Sequence, residues 1–470
     1  MVSRALPGPA DLASRLLASG LFDRRWYAAC AGLDDAPLDQ VVGHYVSVGL
    51  PSGRGPNVDA DRLLNAPAPP GSTAEREAIA LVRDSGLLDV AFYRGHNPDA
   101  ARAGMDPHVH FHRHGRKELR NPSAAFDTWW YQSAYLPLAG DTVDPLLHHV
   151  LVGRKLGLDP APAPRRPGPG ACWPGAGARR ICLFAGYDPD GLVDDYVVRF
   201  VRELSRHADV YYLADCDLAP GELDRLAPYA KGAWAERHGT YDFGSWSRLA
   251  RELVGWDTVA AYDELLLVND SCYLVRPLDE VFAKMEATAC DWWGLQATQR
   301  TWTGADGASP PTVESVVEGL ADAGPSASHL DSLHVSSYFV AYRGPVVRDD
   351  GFRRLLDGVR AEQDKSRIIL RYEIGASRYL LGVGHRLATF IEHLYPYHPI
   401  YNEYAFELLR YGFPLFKRTL LGENPRRCAD LSRWKDRVLE AVPDAPVEEM
   451  ERNLLRVADA DKLERSFSVV

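Results

Sequence analysis

A pattern of tyrosine, histidine, glycine and proline occurs three times in the first 160 residues at one fixed spacing. In each copy a histidine follows the tyrosine after 17 residues, a glycine follows the histidine after five, and a proline lies 29 residues beyond the tyrosine. The three copies are Tyr27, His44, Gly49 and Pro56; Tyr93, His110, Gly115 and Pro122; and Tyr131, His148, Gly153 and Pro160. Such internal self-similarity is typical of a repeat architecture, in which one supersecondary unit is built several times.

Each repeat predicts a short helix, a loop that contains Asp or Pro, and a second helix that ends at the glycine. The glycine suits a left-handed helix C-cap, and the later proline prevents the helix from continuing. The tyrosine and histidine rows suit packing between neighbouring repeats better than a metal site, because no carboxylate or cysteine stands at a matching ligand spacing. We interpret residues 1–160 as an all-helical repeat region that serves docking or spacing.

The pattern changes after residues 161–178, a stretch rich in Pro, Gly and Ala that predicts a linker. From there short apolar runs typical of buried strands alternate with helical patterns, which favours an α/β fold with a parallel sheet over residues 179–425. The predicted strands are 181–185, 210–214 and 265–268, and the predicted helices between them are 195–207 and 245–253. The charged residues 426–470 predict a short helical C-terminal segment.

The overall composition excludes several functional classes. The formal net charge of −11 argues against a nucleic-acid-binding protein, which needs a basic face for phosphate contacts. The seven cysteines are scattered and odd in number, so a disulfide framework or zinc site is not expected and a reducing cytoplasm fits. Neither a signal peptide nor an apolar run of about 18 residues is evident, so any membrane association would be peripheral, at the inner face of the plasma membrane.

The strand Leu265–Val268 runs directly into the polar triplet Asn269-Asp270-Ser271. In open α/β sheets, ligands bind beyond the carboxyl ends of the strands. A carboxylate placed there can hold Mg²⁺ or Mn²⁺ and, through the cation, a phosphate. This is the layout of the DxD element of GT-A glycosyltransferases, with Asp270 as the charged residue and Asn269 and Ser271 as orienting groups. A strand-end Asx turn is the alternative.

Two further polar segments precede this triplet and predict donor contacts. Gly186, Tyr187 and Asp188 follow the first strand, where a base and ribose would lie, although a simple turn explains them equally well. Arg237 can pair with a phosphate. Tyr241 and Asp242 come next, and an N-cap role for Asp242 on the following helix is the alternative to a donor contact. These two residues complete the second donor-side segment.

Three later segments predict the acceptor side and the catalytic base. Trp292 and Trp293 offer flat faces for sugar stacking or belong to the core. His334 and Ser336 are candidates for lining the acceptor cleft. Glu373 begins a predicted helix, where it would act as general base or would be an ordinary first-turn glutamate.

The segment 391–425 carries the remaining candidates. Lys417 and Arg418 would neutralise a diphosphate. His393 and His398 are metal-ligand candidates, with His398 paired with Asp270 in the predicted metal site, although a lone histidine is more often structural than a ligand. A divalent cation, Mg²⁺ or Mn²⁺, is the expected cofactor.

Several of these motifs together resemble the rhamnan synthesis protein F family. The resemblance covers about residues 181–425 and is carried, in order, by YDFGSW, DELLLVNDSCYLVRPLDEVFAKM, DWWGL, HVSSYFVAYR, YEIGASRYLL and GFPLFKRTLLGENP. It implies a GT-A-like glycosyltransferase of cell-surface polysaccharide assembly. Asp270 then takes the metal-and-diphosphate role of the DxD position, and Glu373 takes the base role of an ED-type element in which Ile374 replaces the second acid. The sequence departs from the family at CYLVRPL, where Gly-Pro usually follows the tyrosine.

The resemblance also implies the substrates. The favoured donor is dTDP-L-rhamnose or another nucleotide deoxyhexose, and the acceptor is a growing glycan or a lipid-linked glycan. The repeats resemble modules attached to bacterial polysaccharide glycosyltransferases, which implies contacts with other assembly proteins. We expect an inverting transfer. The alternatives are a retaining glycosyltransferase and a scaffold that binds a nucleotide sugar without turning it over.

Overall fold

The computed structural model describes residues 6–66, 68–140, 143–162, 166–175, 177–304, 309–323, 332–362, 365–429 and 431–467. The chain divides into two compact units. The helical unit contains residues 1–164 with 322–331, and the sheet unit contains residues 165–321 with 332–470. Among the described residues, no helix combines the length and the apolar character that crossing a bilayer requires.

The helical unit is built from short helices, three of which end in a π-helical turn. The α-helices are Pro9–Ala18, Arg24–Ala31, Leu38–His44, Val58–Asn65, Thr73–Asp84, Val90–His96, Pro98–Arg102, Pro107–His110, Thr128–Tyr135, Pro145–His148 and Arg154–Leu156. The π-helical turns are Tyr45–Gly49, Phe111–Gly115 and His149–Gly153, at the same position of each repeat. The predicted all-helical repeat is therefore confirmed.

An aspartate begins the first helix of each repeat in the same way. Asp23, Asp89 and Asp127 each accept a hydrogen bond from the backbone N–H three residues later, at 2.9 Å. The backbone N–H of each aspartate donates to the carbonyl of the proline that closes the same repeat, at 3.0, 3.1 and 3.0 Å. Each repeat is thus a closed loop whose end is tied to its own N-cap.

The tyrosine, histidine and glycine of each repeat meet inside that repeat, which corrects the expectation that they pack between repeats. In each copy the tyrosine hydroxyl pairs with Nδ1 of the histidine, at 2.9, 3.0 and 2.9 Å. The glycine is not a left-handed cap, because none of the three has a positive φ. A Cβ at Gly153 would lie 2.2 Å from the Tyr131 hydroxyl, so the absent side chain makes room for the tyrosine.

The strands of the sheet unit are β1 Arg180–Gly186, β2 Asp209–Ala214, β3 Ala230–Ala235, β4 Glu264–Asn269, β5 Cys272–Leu274, β6 Trp292–Gly294, β7 Ala297–Thr298, β8 His334–Val335, β9 Phe339–Arg343, β10 Leu387–Thr389 and β11 Leu415–Lys417. Seven of them form one sheet of order β10-β6-β9-β4-β1-β2-β3. The pairs β1–β2, β1–β4, β2–β3 and β10–β6 are parallel, and β9 runs antiparallel between β4 and β6. The predicted α/β class with a mostly parallel sheet is confirmed. The edge strand β3 was not predicted, because its sequence AKGAWA lacks a buried apolar run.

Helices cover both faces of this sheet and continue into the C-terminal segment. The α-helices are Asp195–Leu204, Tyr241–Arg248, Trp256–Ala260, Asp279–Glu286, Val313–Ala323, Gly344–Val347, Asp350–Asp357, Lys365–Ile368, Ile374–Gly382, Tyr404–Arg410, Arg418–Glu423, Trp434–Ala441, Val447–Val457 and Ala460–Phe467. The π-helical turns are Leu249–Leu253 and Ile369–Glu373, and the 3₁₀ turns are Leu223–Arg225, Pro399–Tyr401 and Leu431–Arg433. The predicted helical C-terminal segment is present.

Two apolar cores lie on opposite sides of the sheet because neighbouring strand residues point to opposite faces. Leu266 and Val268 of β4 belong to one core, whereas Leu265 and Leu267 belong to the other. A sheet buried on both faces explains the uninterrupted apolar runs of its strands.

A short antiparallel pair outside the main sheet determines where the site forms. Strand β5 follows the Asn269-Asp270-Ser271 triplet at once and pairs with β11, with Lys417 opposite Cys272. The backbone N–H of Arg418 donates to the Ser271 carbonyl at 3.2 Å. This pairing brings two cationic residues from near the C-terminus to the end of β4.

Candidate functional site

A cleft of about 780 Å³ lies where β1, β2 and β4 end. Parallel strands leave their carboxyl ends at one edge, so the loops that follow them form one surface. Seven of the residues predicted from the sequence line this cleft: Tyr187, Arg237, Tyr241, Asp242, Asp270, Ser271 and Arg418. The remaining lining residues are Pro189, Asp215, Gly239, Tyr273, Lys365, Thr419, Gly422, Glu423, Leu454, Val457, Ala458, Asp459 and Lys462.

Asp270 is the most deeply placed acid of the cleft, with 8% of its surface exposed. One carboxylate oxygen accepts the backbone N–H of Tyr187 at 2.8 Å. Burial raises the pKa of the Asp270 carboxyl to about 6, the Arg418 guanidinium partly offsets the rise, and Asp242 and Asp188 add to it. A carboxylate held in this way gains from any positive charge that enters the cleft.

A chain of hydrogen bonds joins the triplet to its neighbours. The Asn269 side-chain N–H₂ donates to Asp242 at 2.6 Å, and its carbonyl oxygen accepts the Ser271 hydroxyl at 2.5 Å. The Lys417 ammonium donates to the same hydroxyl at 2.8 Å. Asn269 and Lys417 are buried and do not line the cleft, so they position Asp242 and Ser271 from below.

The positive charge that lines the cleft next to Asp270 comes from Arg418. Its guanidinium donates to the backbone carbonyl of Asp270 at 3.1 Å and to the Tyr196 hydroxyl, and it lies 4.8 Å from the centre of the Tyr196 ring. The Tyr196 hydroxyl also donates to the Asp270 carbonyl, at 3.0 Å. Arg418 is therefore fixed by its partners with its charge beside the acid, which is the arrangement a diphosphate requires.

Asp215 was not predicted from the sequence, although it follows β2 as Asp270 follows β4. Its carboxylate accepts three backbone N–H groups, from His238 and Gly239 at 2.8 Å and from Tyr241 at 3.1 Å. Tyr241 has a left-handed backbone with φ of 57°, a strained conformation for a bulky residue. Asp215 holds this strained turn in place and so presents the exposed Tyr241 ring and Asp242 to the cleft.

Burial raises the pKa of Asp242, and the ammonium groups of Lys365 and Lys417 partly offset that rise. Lys365 also lines the cleft and was not predicted, because a single lysine before an apolar helix carries no signal. Arg237 is exposed and forms an ion pair with Asp217 at 3.0 Å. The cleft therefore combines acids of raised pKa with several cationic side chains.

The C-terminal segment forms one wall of the cleft, which nothing in the sequence indicated. Arg456 holds that wall through three carboxylates that lie after β1. It forms ion pairs with Asp188, with Asp190 at 2.6 Å and with Asp194 at 2.8 Å. This corrects the donor-binding interpretation of Asp188, whose carboxylate is buried and occupied by Arg456.

Gly186, another predicted donor contact, has a packing role and does not line the cleft. A Cβ there would lie 2.2 Å from the Tyr212 hydroxyl, and the Gly186 carbonyl accepts the backbone N–H of Asp215 at 2.9 Å. The glycine is needed because a neighbouring strand's tyrosine passes over it.

Glu373 lies in the middle of a continuous helical run and does not begin a helix as predicted. It is the last residue of the π-helical turn Ile369–Glu373, between the helices Lys365–Ile368 and Ile374–Gly382. π-helical turns inside helices are frequent at functional sites. Its carboxylate accepts the Ser337 backbone N–H at 2.7 Å and the Ser337 hydroxyl. Glu373 does not line the cleft, but its charge adds to the burial effect that raises the pKa of Asp242.

The two tryptophans predicted to stack on a sugar are core residues, which corrects that interpretation. Trp292 and Trp293 are adjacent on β6 and point into the two opposite cores, with 1% and 0% exposed. Trp292 stacks on Tyr342, and the Trp293 indole N–H donates to Glu264 at 2.8 Å. His334 and Ser336 are buried as well and do not line the cleft.

The predicted metal pair of Asp270 and His398 is not brought together in the cleft. His398 lies against Tyr397, with ring centres 3.8 Å apart, and near His334, at 6.0 Å. Among the described residues, one cluster of at least three His, Cys, Asp or Glu side chains has metal-ligand spacing: Glu203, His207 and Asp279. That cluster includes no cleft residue, and Arg206 already forms ion pairs with both of its acids.

The family model described as rhamnan synthesis protein F matches residues 210–464 of the chain. No curated protein matches the sequence.

Among solved structures, core-mannan synthase A from Aspergillus fumigatus in a Mn/GDP form is similar at 11% identity and a TM-score of 0.27, over 49% of this chain and 79% of that one. The mannosyltransferase Ktr4p from S. cerevisiae is similar at 10% identity and a TM-score of 0.26, over 44% and 67%, and its GDP complex at 9% and 0.26, over 46% and 71%.

Proposed function

The chain belongs to the rhamnan synthesis protein F family and is therefore a glycosyltransferase, and we propose that its cleft binds the nucleotide-sugar donor. The single observation that carries this proposal is the convergence at the end of β4. Asp270, the hydroxyl of Ser271 and the guanidinium of Arg418 line one cleft, and Lys417 lies directly below. Phosphate recognition by fixed cations at the carboxyl end of a sheet is the function that this geometry supports best.

The proposed reaction is an inverting transfer. Glu373 accepts the proton of an acceptor hydroxyl, the hydroxyl oxygen forms a bond to the anomeric carbon, and the bond from that carbon to the diphosphate breaks. Arg418 stabilises the negative charge that develops on the departing nucleoside diphosphate, and Lys417 acts on it through Ser271. Glu373 is suited to the base role because Ser337 fixes its carboxylate with two hydrogen bonds.

A divalent cation fits this site as a partner of the substrate. Mg²⁺ and similar ions are commonly held by one or two protein carboxylates together with substrate phosphates. Asp270 and Asp242 are the two cleft acids of raised pKa that would hold it, and Asp242 keeps one oxygen in its bond to Asn269. When bound, the cation would neutralise the diphosphate as a Lewis acid.

The favoured donor is dTDP-L-rhamnose, and the favoured acceptor is a growing cell-surface glycan, free or lipid-linked. The family description supports a rhamnose-containing polymer. Such a reaction would take place in the cytoplasm, at the inner face of the plasma membrane.

A thermal-shift screen of nucleotide sugars, with and without Mn²⁺, tests donor binding. We expect dTDP-L-rhamnose to raise the melting temperature more than UDP or GDP sugars do, and Mn²⁺ to increase that shift. An unchanged melting temperature with every nucleotide sugar would contradict the proposal.

Turnover by the Glu373→Gln variant tests the chemistry. Loss of transfer with retained donor binding supports Glu373 as base, whereas near-normal rates would remove it. NMR of the anomeric configuration of the product distinguishes inversion from retention, and donor binding without any turnover in the unaltered protein would favour the scaffold.

A further inference from the structure

A patch of buried polar atoms next to Glu373 has no hydrogen-bond partner. Fourteen buried side-chain nitrogen or oxygen atoms of the described residues lack a partner, and six of them fall in this patch. They are both amide atoms of Gln296, Oγ of Ser332, Nε2 of His334, the hydroxyl of Tyr338 and Nδ1 of His398. We call these five residues the unpaired cluster.

The strand pairing and the ring contacts bring the unpaired cluster together. β7 and β8 form a two-stranded antiparallel pair with Thr298 opposite His334, which brings Gln296, the residue before β7, near His334. The rings of His334 and His398 lie 6.0 Å apart. Burial raises the pKa of Tyr338, and the Gln296 amide offsets part of that rise. The two side chains therefore face each other, but their atoms lie outside hydrogen-bond geometry.

Lys417 connects this patch to the cleft. Its ammonium lies 5.6 Å from the Tyr338 ring centre and 5.3 Å from that of Tyr401. The same ammonium donates to Ser271, the neighbour of Asp270. The patch also adjoins Glu373, whose charge acts on His334 and whose carboxylate accepts the backbone N–H of Ser337. The unpaired cluster therefore adjoins both a residue of the proposed diphosphate site and the proposed base.

The chemistry of these atoms selects the kind of partner they fit. Burial lowers the pKa of His398 to about 3 and also lowers the pKa of His334, so both imidazoles are neutral at physiological pH. Nδ1 of His334 donates to the Ser332 carbonyl at 2.9 Å, so its free Nε2 is an acceptor. An amide or a phenol offers both a donor and an acceptor. Uncharged donors and acceptors match hydroxyls, whereas an ionised ligand would need a charged partner.

Buried polar groups in native proteins are almost always satisfied, and a concentration of unsatisfied ones needs a physical explanation. His398 adds a second sign of function, because it has a left-handed backbone with φ of 57°. Non-glycine residues in that conformation concentrate at ligand sites. Its half-buried neighbours Tyr397 and Tyr401 present aromatic rings, which suit the apolar face of a sugar.

We propose that the unpaired cluster is a subsite for the hydroxyl groups of a pyranose ring. The ring belongs either to the glycosyl group of the donor or to the terminal residue of the acceptor. Gln296 and His334 bind vicinal hydroxyls, and Tyr338 and His398 bind from the neighbouring walls. The inference rests on the proposed glycosyl transfer, since it names the residues that recognise the sugar itself.

The test compares Gln296→Leu and His398→Phe with the unaltered protein. Each substitution replaces a polar side chain by an apolar one of similar size. If the cluster binds a sugar, both variants keep or raise their melting temperature without ligand, because an unpaired buried group has been removed. The matched control is His149→Phe, which removes another buried imidazole with an unpaired Nδ1, in the helical unit.

Calorimetry with dTDP and with dTDP-L-rhamnose tests whether the cluster binds the sugar of the donor. We expect both variants to bind dTDP as the unaltered protein does and to bind dTDP-L-rhamnose at least about tenfold more weakly, the loss of one hydrogen bond. If both variants bind dTDP and dTDP-L-rhamnose as the unaltered protein does, a similar rise in KM for a rhamnose trisaccharide acceptor would mean that the cluster binds the pyranose ring of the acceptor. His149→Phe should change neither value.

Three results separate the ways in which the proposals can fail. If the unaltered protein binds neither dTDP nor any nucleotide sugar, the proposed function fails and the subsite fails with it. If it binds and transfers sugar, but the variants keep the unaltered donor affinity and acceptor KM, the subsite alone is wrong. A melting temperature that falls in both variants with unchanged sugar binding would mean that the cluster is satisfied by internal water.

Discussion

Aspartates lie at the ends of helices in the helical unit and of strands in the sheet unit, but the two groups differ in how well their charges are stabilised. In the helical unit Asp23, Asp89 and Asp127 cap three helices with the same bonds, copied from repeat to repeat. In the sheet unit Asp270 follows a strand, is buried beside Arg418 and has a raised pKa. A repeated, satisfied aspartate stabilises the fold, whereas a single buried aspartate with an unfavourable charge is a candidate for binding a ligand.

The largest expected effect is on turnover in an Asp270→Asn variant. The amide keeps the size of the side chain but removes the charge that would hold a cation and the diphosphate. We expect kcat/KM to fall by roughly 100-fold or more, since electrostatic groups of this kind contribute about that much. Steady-state kinetics with the best donor of the thermal-shift screen measures it.

The stability of the Asp270→Asn variant tests the same comparison. The folded pKa of about 6 lies above the usual value of an unfolded aspartate, so ionising Asp270 destabilises the fold as pH rises from about 4 through 6. Asp270→Asn removes that cost, and at pH 7 the variant should unfold at an equal or higher urea concentration. A clear loss of stability would mean that Asp270 stabilises the fold, as the helix-capping aspartates do.

A second prediction concerns Arg456, which holds the C-terminal wall. Arg456→Gln leaves Asp188, Asp190 and Asp194 without their shared cation, so the wall should loosen and the donor KM should rise by about tenfold, the equivalent of 1.4 kcal/mol. Arg452→Gln is the matched control, because Arg452 lies one turn away on the same helix and makes one exposed ion pair, with Asp195. Equal KM values in the two variants would contradict a role for the wall.

The pH dependence of activity is the third prediction. If transfer needs ionised Asp270, kcat/KM should rise with pH through about 6 and level off above it. Asp242 contributes to the raised pKa, so Asp242→Asn should move the midpoint of the profile to lower pH. A pH-rate profile of both proteins over about pH 4.5–8.5 checks this. An unchanged midpoint would mean that Asp242 does not affect the ionisation of Asp270.

The same contrast explains which features were predictable from the sequence. The repeat was predictable because the same residues recur at the same spacing in three copies. Strand β4 with its polar triplet was predictable because a buried parallel strand is apolar throughout. The pairing of β5 with β11 was not, since it joins residues more than 140 positions apart. Trp292 and Trp293 were misassigned because adjacent strand residues face opposite sides, and only the structure reveals that both sides are covered.

Other site residues depended on tertiary contacts that leave no local pattern. Asp188 and Asp270 both follow strands. Only the position of Arg456 in the fold shows that the Asp188 carboxylate is already bound in an ion pair. Asp215 is the exception, because it follows β2 and the rule that selected Asp270 would have selected it too.

The smallest expected effect tests the structural half of the comparison. Asp89→Ala removes the bond to the Phe92 N–H at the start of the second repeat. An N-cap of this kind contributes about 1 kcal/mol, so the urea midpoint of the helical unit should fall modestly. Because the cap belongs to the helical unit and the cleft residues belong to the sheet unit, kcat and both KM values should stay within error. A drop in kcat would break the comparison, since it would mean that the helical unit takes part in catalysis through its fold.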